Sequence, residues 1–188
     1  MKTSKEFFTN LHDVECNQKY NKTLPYSFHL EIVYLQGFKF KSIIMSILER
    51  DMNMAFAHKD TLPREIIDAL WGHDSIEDAR LTYNDIELLY GKIVAEIIYL
   101  CTDFKGKNRE ERKPKEYYQE LSQNKLALFV KLCDLIANIK FGLLTNSTMY
   151  QKYKIEWILI KRKILGNGNL TDFKEMFIYI NSLLNLET

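Results

Sequence analysis

The chain of 188 residues has little that interrupts regular structure, with only seven glycines and three prolines. Most segments between them repeat apolar residues at three- and four-residue spacing, so the sequence predicts an all-α fold. Its three cysteines, Cys16, Cys101 and Cys133, are odd in number and far apart. They do not make a disulfide framework or a zinc motif, and reduced thiols in a cytoplasmic protein fit them better. Charge of one sign is missing too: 26 basic and 25 acidic residues leave a net charge of +1. Nothing there suggests a generic nucleic-acid or membrane surface, and an anionic partner has to be met locally. No run of about 18 apolar residues occurs. The N-terminal "MKTSKEFFTNLHDVEC" has no apolar core of a signal peptide, so neither membrane insertion nor secretion is expected. Without repeats, low-complexity tracts or composition breaks, a single domain over 1–188 is expected.

What is present is a series of amphipathic segments. The periodicity predicts helices at about 4–17, 27–36, 38–57, 63–78, 83–101, 113–122, 124–144, 147–165 and 171–184. Pro25 and Pro63 stand near helix starts, where a missing N–H costs little. Thr82 with Asp85 resembles a capping arrangement ahead of Ile86, Leu89, Ile93 and Ile97.

Three of these segments bury polar groups where an apolar row should continue. In "WGHDSIEDARLTYNDI", the row Ile66, Ile67, Leu70 and Trp71 runs on into His73, Asp74, Glu77 and Asp78. On a continuous helix these four span an arc of about 140°. Three carboxylates gathered there repel one another, so a metal ion or an Arg/Lys cluster is needed. In "NKLALFVKLCDLIANIKF", Asp134 lies among Leu126, Phe129, Val130, Cys133 and Ala137, with Asn138 one turn on. In "LPYSFHLEIVYL", His29 shares a face with Ile32 and Val33. Singly, each has an ordinary explanation: a hydrogen-bonded core histidine, or an aspartate bonded from helix to helix. Together, two His and two Asp make a nitrogen and oxygen set suited to a divalent transition metal such as Mn, Fe or Zn.

An isolated His, an adjacent His-Asp pair and a distant Asp, all on helices, resemble the HD-domain metal-dependent phosphohydrolases. As a dipeptide His-Asp carries no weight, since His12-Asp13 also occurs. The surrounding text is more specific. "LPYSFHLEIV" resembles the opening motif of the RelA/SpoT-type hydrolase domain and the small alarmone hydrolases. "HDSIEDARLTYNDI", "CTDFKGKNREERK" and "VKLCDLIANI" resemble their later motifs in order and spacing, over roughly residues 18–142. The C-terminal helices, 147–188, carry no such motif and are expected to pack on that core.

The resemblance implies an HD-domain helical bundle in which His29, His73, Asp74 and Asp134 hold one Mn²⁺, Fe or Zn being possible. Glu77 and Asp78 would position or deprotonate the attacking water. It implies a nucleotide substrate, with the 3′-diphosphate of (p)ppGpp hydrolysed to pyrophosphate. Arg109, Arg112 and Lys113 would neutralise the polyphosphate, though as a solvated charge run they would need no function. Asn138 would contact the nucleotide or support Asp134. The family commonly places a base-stacking arginine before Pro-Tyr, whereas "CNQKYNKTLPY" offers Lys19, Tyr20 and Lys22. Lys22 is the substrate-binding candidate there, and a nucleotidase or pyrophosphohydrolase acting on another nucleotide is the alternative. Gly72 stands where the family has an apolar residue and would loosen its helix. No nucleic-acid or membrane partner is expected, and oligomeric state is not legible.

Overall fold

A computed structural model describes residues 2–51, 61–165 and 169–187, the side chains of Arg109, Leu159 and Leu170 excepted. Helix α1 (Ser4–Asn10) runs into a π-helical turn (Leu11–Glu15), and a hairpin of β1 (Lys19–Tyr20) and β2 (Leu24–Pro25) follows. Next come α2 (Ser27–Lys39), α3 (Lys41–Asp51), α4 (Arg64–Gly72) and α5 (Ser75–Asp78). After these lie α6 (Tyr83–Tyr90), α7 (Lys92–Cys101), α8 (Arg109–Arg112) and α9 (Lys115–Gln123). The chain continues with α10 (Lys125–Leu144), α11 (Met149–Ile164), α12 (Asn169–Asp172) and α13 (Lys174–Leu183). The all-α expectation holds, with one two-stranded hairpin added.

Helix α10 is the axis of the bundle, packed by α2, α4, α7, α9, α11 and α13. It is apolar on nearly every side, as a helix surrounded by others must be. Its first turn is closed by Asn124, whose side-chain oxygen accepts from the backbone N–H of Leu126 and Ala127 at 3.1 and 3.0 Å. One hydrophobic core extends from Phe8 to Leu184. The C-terminal helices share it through Trp157, Phe173 and Phe177, and the Trp157 indole donates to Asn181 Oδ1 at 2.8 Å. Among the described residues no helix is long and apolar enough to cross a membrane.

Several helix boundaries differ from expectation. The segment 83–101 is two helices, because Gly91 turns the chain with φ +88°, a conformation that L side chains rarely adopt. The break expected near 37 falls at Phe40, and residues 52–57 of the expected 38–57 helix lie outside the described residues. At the N-terminus, the helix expected over 4–17 widens into its π turn and ends at Cys16. The hairpin was not foreseen: its strands are two residues each, and Asn21 and Lys22 turn it with φ of 49° and 68°.

The most consequential correction concerns 63–78. Helix α4 stops at Gly72, and the chain turns through His73 and Asp74 before α5 begins. Ser75 Oγ donates to Gly72 O at 2.6 Å, and His73 Nδ1 lies 3.0 Å from Leu70 O. The His-Asp pair therefore occupies a corner between two helices. Gly72 does not loosen this corner: a Cβ there would lie 2.5 Å from Phe8 Cζ and 2.8 Å from Ile98 Cδ1. Any side chain there would require the tips of Phe8 on α1 and Ile98 on α7 to shift from the end of α4.

Candidate active site

Three elements bring the buried polar groups together. Helix α2 presents His29, the α4–α5 corner presents His73 and Asp74, and the middle of α10 presents Asp134. His29 Nε2 is 3.2 Å from His73 Nε2, 3.3 Å from Asp134 Oδ1 and 3.5 Å from Asp74 Oδ2. His73 Nε2 is 2.9 Å from Asp74 Oδ2 and 3.8 Å from Asp134 Oδ1. Donors placed about 2.1 Å from a shared cation at angles near 90–110° lie about 3.0–3.4 Å apart, close to these spacings. His29, His73 and Asp134 form a group able to hold a metal ion. Asp74 Oδ2 faces both imidazoles from the fourth side.

Tautomer chemistry agrees with that use. The Leu70 carbonyl can only accept, so His73 Nδ1 carries a hydrogen and Nε2 is the ring atom turned to the centre. Burial alone would push the His29 imidazole down, but the Asp134 and Asp74 carboxylates outweigh it and raise its pKa to about 9. Burial would likewise raise both carboxyls; Lys131 and His29 hold Asp134, and His73 and His29 hold Asp74, below the ordinary range instead. Without a cation the cluster therefore keeps a proton on His29. Because this pKa is raised above the ordinary 6.5, its stabilisation is fully present below about pH 6.5 and is lost as pH rises through about 9. Chelator-treated protein is expected to lose about 3 kcal/mol across that window, read from urea midpoints. A flat profile would show that His29 is already neutral.

Beyond the donor set lies a second rank. Tyr26 Oη donates to Asp74 Oδ2 at 2.5 Å and also approaches Asp78 Oδ2 at 3.1 Å. Burial and the Asp74 charge push its pKa far up, so it remains a donor. Glu77 accepts from the backbone N–H of Asp103 at 3.3 Å. Burial and the Asp103 charge raise the Glu77 pKa. Asn138 Nδ2 donates to Asp134 Oδ1 at 2.5 Å and its Oδ1 accepts from Tyr20 Oη at 2.9 Å. The Tyr20 ring lies over His29, centroids 4.8 Å apart. Of the two roles considered for Asn138, the structure contains the contact with Asp134.

Opposite these carboxylates stands a basic wall. Arg112 approaches Glu77 at 3.7 Å, Lys113 approaches Asp103 at 3.3 Å and Glu156 at 3.7 Å, and Lys131 approaches Asp134 at 3.4 Å. All line a cleft of about 210 Å³ together with Glu77, Asp78 and the donor set's outer face. The Arg109 side chain lies outside the described residues. Lys22 is a correction: its left-handed backbone puts it, exposed, at the tip of the β1–β2 turn, and it does not line the cleft.

Sequence reasoning gave no role to Lys131, Asp103 and Tyr26, which line this cleft. Lys131 sits three positions before Asp134, helical spacing that places it against that carboxylate, and Asp103 lies inside the quoted "CTDFKGK". Tyr26 was quoted as half of Pro-Tyr without a task. Helix α11 also lines the cleft, with Tyr153, Glu156, Ile160 and Ile164, which no periodicity argument assigned to a site.

The helical bundle and the buried His/Asp group at its centre can be set beside known proteins. No family model matches the chain. Among curated proteins it is similar to the guanosine-3′,5′-bis(diphosphate) 3′-pyrophosphohydrolase MESH1 of Danio rerio, 32% identical over 76 residues, which is 40% of this chain and 42% of that protein. The protein of the same name from Drosophila melanogaster is 25% identical over 96 residues, 50% of this chain and 54% of that one. The matched segments thus span about half the length of these curated relatives. A solved structure described as a metazoan ortholog of SpoT that hydrolyzes ppGpp has the same fold, with a TM-score of 0.57 and 21% identity over 96% of this chain and 97% of that one. The resemblance read from the motifs is borne out by relatives of that kind and by their fold.

Proposed function

We propose that the chain is an Mn²⁺-dependent hydrolase that removes the 3′-diphosphate of (p)ppGpp as pyrophosphate and leaves GDP or GTP. One observation carries this reading: a single cleft joins a buried donor set for a divalent cation, two further carboxylates beside it, and a basic wall. The curated relatives, named for this reaction, support it.

His29, His73, Asp74 and Asp134 would hold the cation, and the same donors suit Fe or Zn. When bound, such a cation lowers the pKa of a water and polarises a phosphoryl oxygen. Glu77, with its pKa raised towards the working range, accepts the proton of the attacking water. Asp78, fixed by Tyr26, orients that water. A new P–O bond forms at the phosphorus next to the ribose, the bond to the 3′ oxygen breaks, and that oxygen takes up a proton. Arg112, Lys113 and Lys131 meet the charge of the diphosphate, the first two exchanging carboxylate partners for phosphate.

A second reading, hydrolysis of another nucleotide, is favoured by one observation. No arginine precedes Pro25-Tyr26, and the aromatic Tyr20 occupies that strand, engaged with His29 and Asn138. Incubating Mn-loaded protein with ppGpp, 5′-nucleotides and dNTPs, while following pyrophosphate and phosphate, separates the two. Pyrophosphate from ppGpp alone is expected. Release from a different nucleotide moves the assignment to the second reading, and inertness toward all of them, with metal bound, sinks both.

A further inference from the structure

His12 belongs to the His-Asp pair that carried no weight in the sequence, and it touches none of the metal donors. It is nevertheless fully buried, at 0% exposure, in the π-helical turn after α1. Its ring stacks on Tyr26, centroids 4.8 Å apart and planes 19° from parallel. Its Nδ1 lies 2.7 Å from Gln18 Oε1, and Gln18 Nε2 donates to Asp78 Oδ2 at 2.8 Å. The Gln18 backbone N–H returns to the His12 carbonyl at 2.8 Å, closing the loop between them. His12 Nε2 has no hydrogen-bond partner among the described residues.

The chemistry of these ends fixes the direction of the chain. A carboxylate only accepts, so the amide NH₂ of Gln18 must face Asp78 and its carbonyl must face His12. The hydrogen of the imidazole then has to sit on Nδ1. Burial lowers the pKa of His12, which keeps the ring neutral and leaves one hydrogen to place. Gln18 and Tyr26 converge on the same oxygen, Asp78 Oδ2. That oxygen is committed to the protein, and Oδ1 is left for the reacting side. The neighbouring Asp13 fixes the base of this assembly, accepting from Ser27 N at 2.9 Å and Ser27 Oγ at 2.5 Å at the start of α2.

We infer that His12 and Gln18 are positioning residues for Asp78: the His12 Nδ1–H orients the Gln18 amide, and that amide, with Tyr26, sets the carboxylate so that Oδ1 meets the attacking water. The inference rests on the hydrolytic function proposed above. Breaking the network removes a charge-assisted hydrogen bond from Asp78 without touching the donors of the cation or the basic wall. The loss therefore falls on turnover and not on substrate binding.

The test compares wild type, Gln18→Met, His12→Phe and His12→Asn, reading kcat and KM for ppGpp with Mn²⁺, thermal midpoints and imidazole ¹⁵N resonances. Gln18→Met is expected to lower kcat about tenfold or more, with KM within about twofold. His12→Phe should lose as much, and His12→Asn, whose amide N–H can stand where Nδ1–H stood, should recover most of it. A purely structural role would instead make the rate follow the thermal midpoint, with no recovery by Asn. Wild-type kcat in Gln18→Met, or ¹⁵N shifts placing the hydrogen on Nε2, would overturn the inference. Gln18 is only half-buried, so its variant remains informative even where a His12 variant does not fold. If wild type leaves ppGpp intact, the function reading has failed by itself. The network is then decided by the His12 tautomer and by the Asp78 carboxyl ¹³C shift, which should move in Gln18→Met and stay in His12→Asn.

Discussion

Asp134→Ala is expected to abolish divalent-metal binding and to reduce hydrolysis by about a thousandfold or more. The carboxylate closes the donor set, 3.3 Å from His29 and 3.8 Å from His73, and it is the anion that balances Lys131 at 3.4 Å. With alanine there, Lys131 keeps the Asp103 carboxylate at 4.0 Å and the Cys101 carbonyl at 3.1 Å, while the two imidazoles face an opened centre. The variant then loses an anionic ligand from the centre. Titration calorimetry with Mn²⁺ on the chelator-treated protein, beside a circular dichroism spectrum showing the helices intact, checks the claim. Metal binding at wild-type affinity would remove Asp134 from the site.

Glu77→Gln separates holding the cation from moving the proton. The amide oxygen can still accept from the Asp103 N–H, so the α5 end should keep its place. An amide cannot take a proton from water, however, and kcat is expected to fall by about 10²–10⁴-fold. Metal content and KM should stay near wild type. Full activity in this variant would mean that another group removes the proton, with Asp78 the nearest candidate.

The buried polar cluster was legible because burying a charge is costly enough to leave a mark. His29, Asp134 and the His73–Asp74 pair each stand where the pattern called for an apolar residue. The reason these side chains converge was not legible. Periodicity treats 63–78 as one helix and spreads the four groups over a common face, whereas the chain turns at His73 and Asp74. That turn depends on Ser75 Oγ bonding to the Gly72 carbonyl and on two other helices crowding Gly72, facts of tertiary packing. Lys131 and Asp103 escaped for a related reason: a charged residue on a helix or loop reads as solvated until the structure shows what covers it. Lys22 erred the other way, since closeness in sequence to a motif says nothing about which way a hairpin tip points.

Gly72 carries a further meaning when the molecule is viewed from the side away from the cleft. The ring of Phe8 and the end of Ile98 press on the back of the His-Asp corner at a spot with no room for a methyl group. The N-terminal helix thus works as a thrust block, setting the depth at which His73 and Asp74 stand. A bulkier residue at 72 would leave every donor in the sequence and still displace the corner that presents them. Geometry at the front of this protein is held from behind, by residues that no motif search would keep.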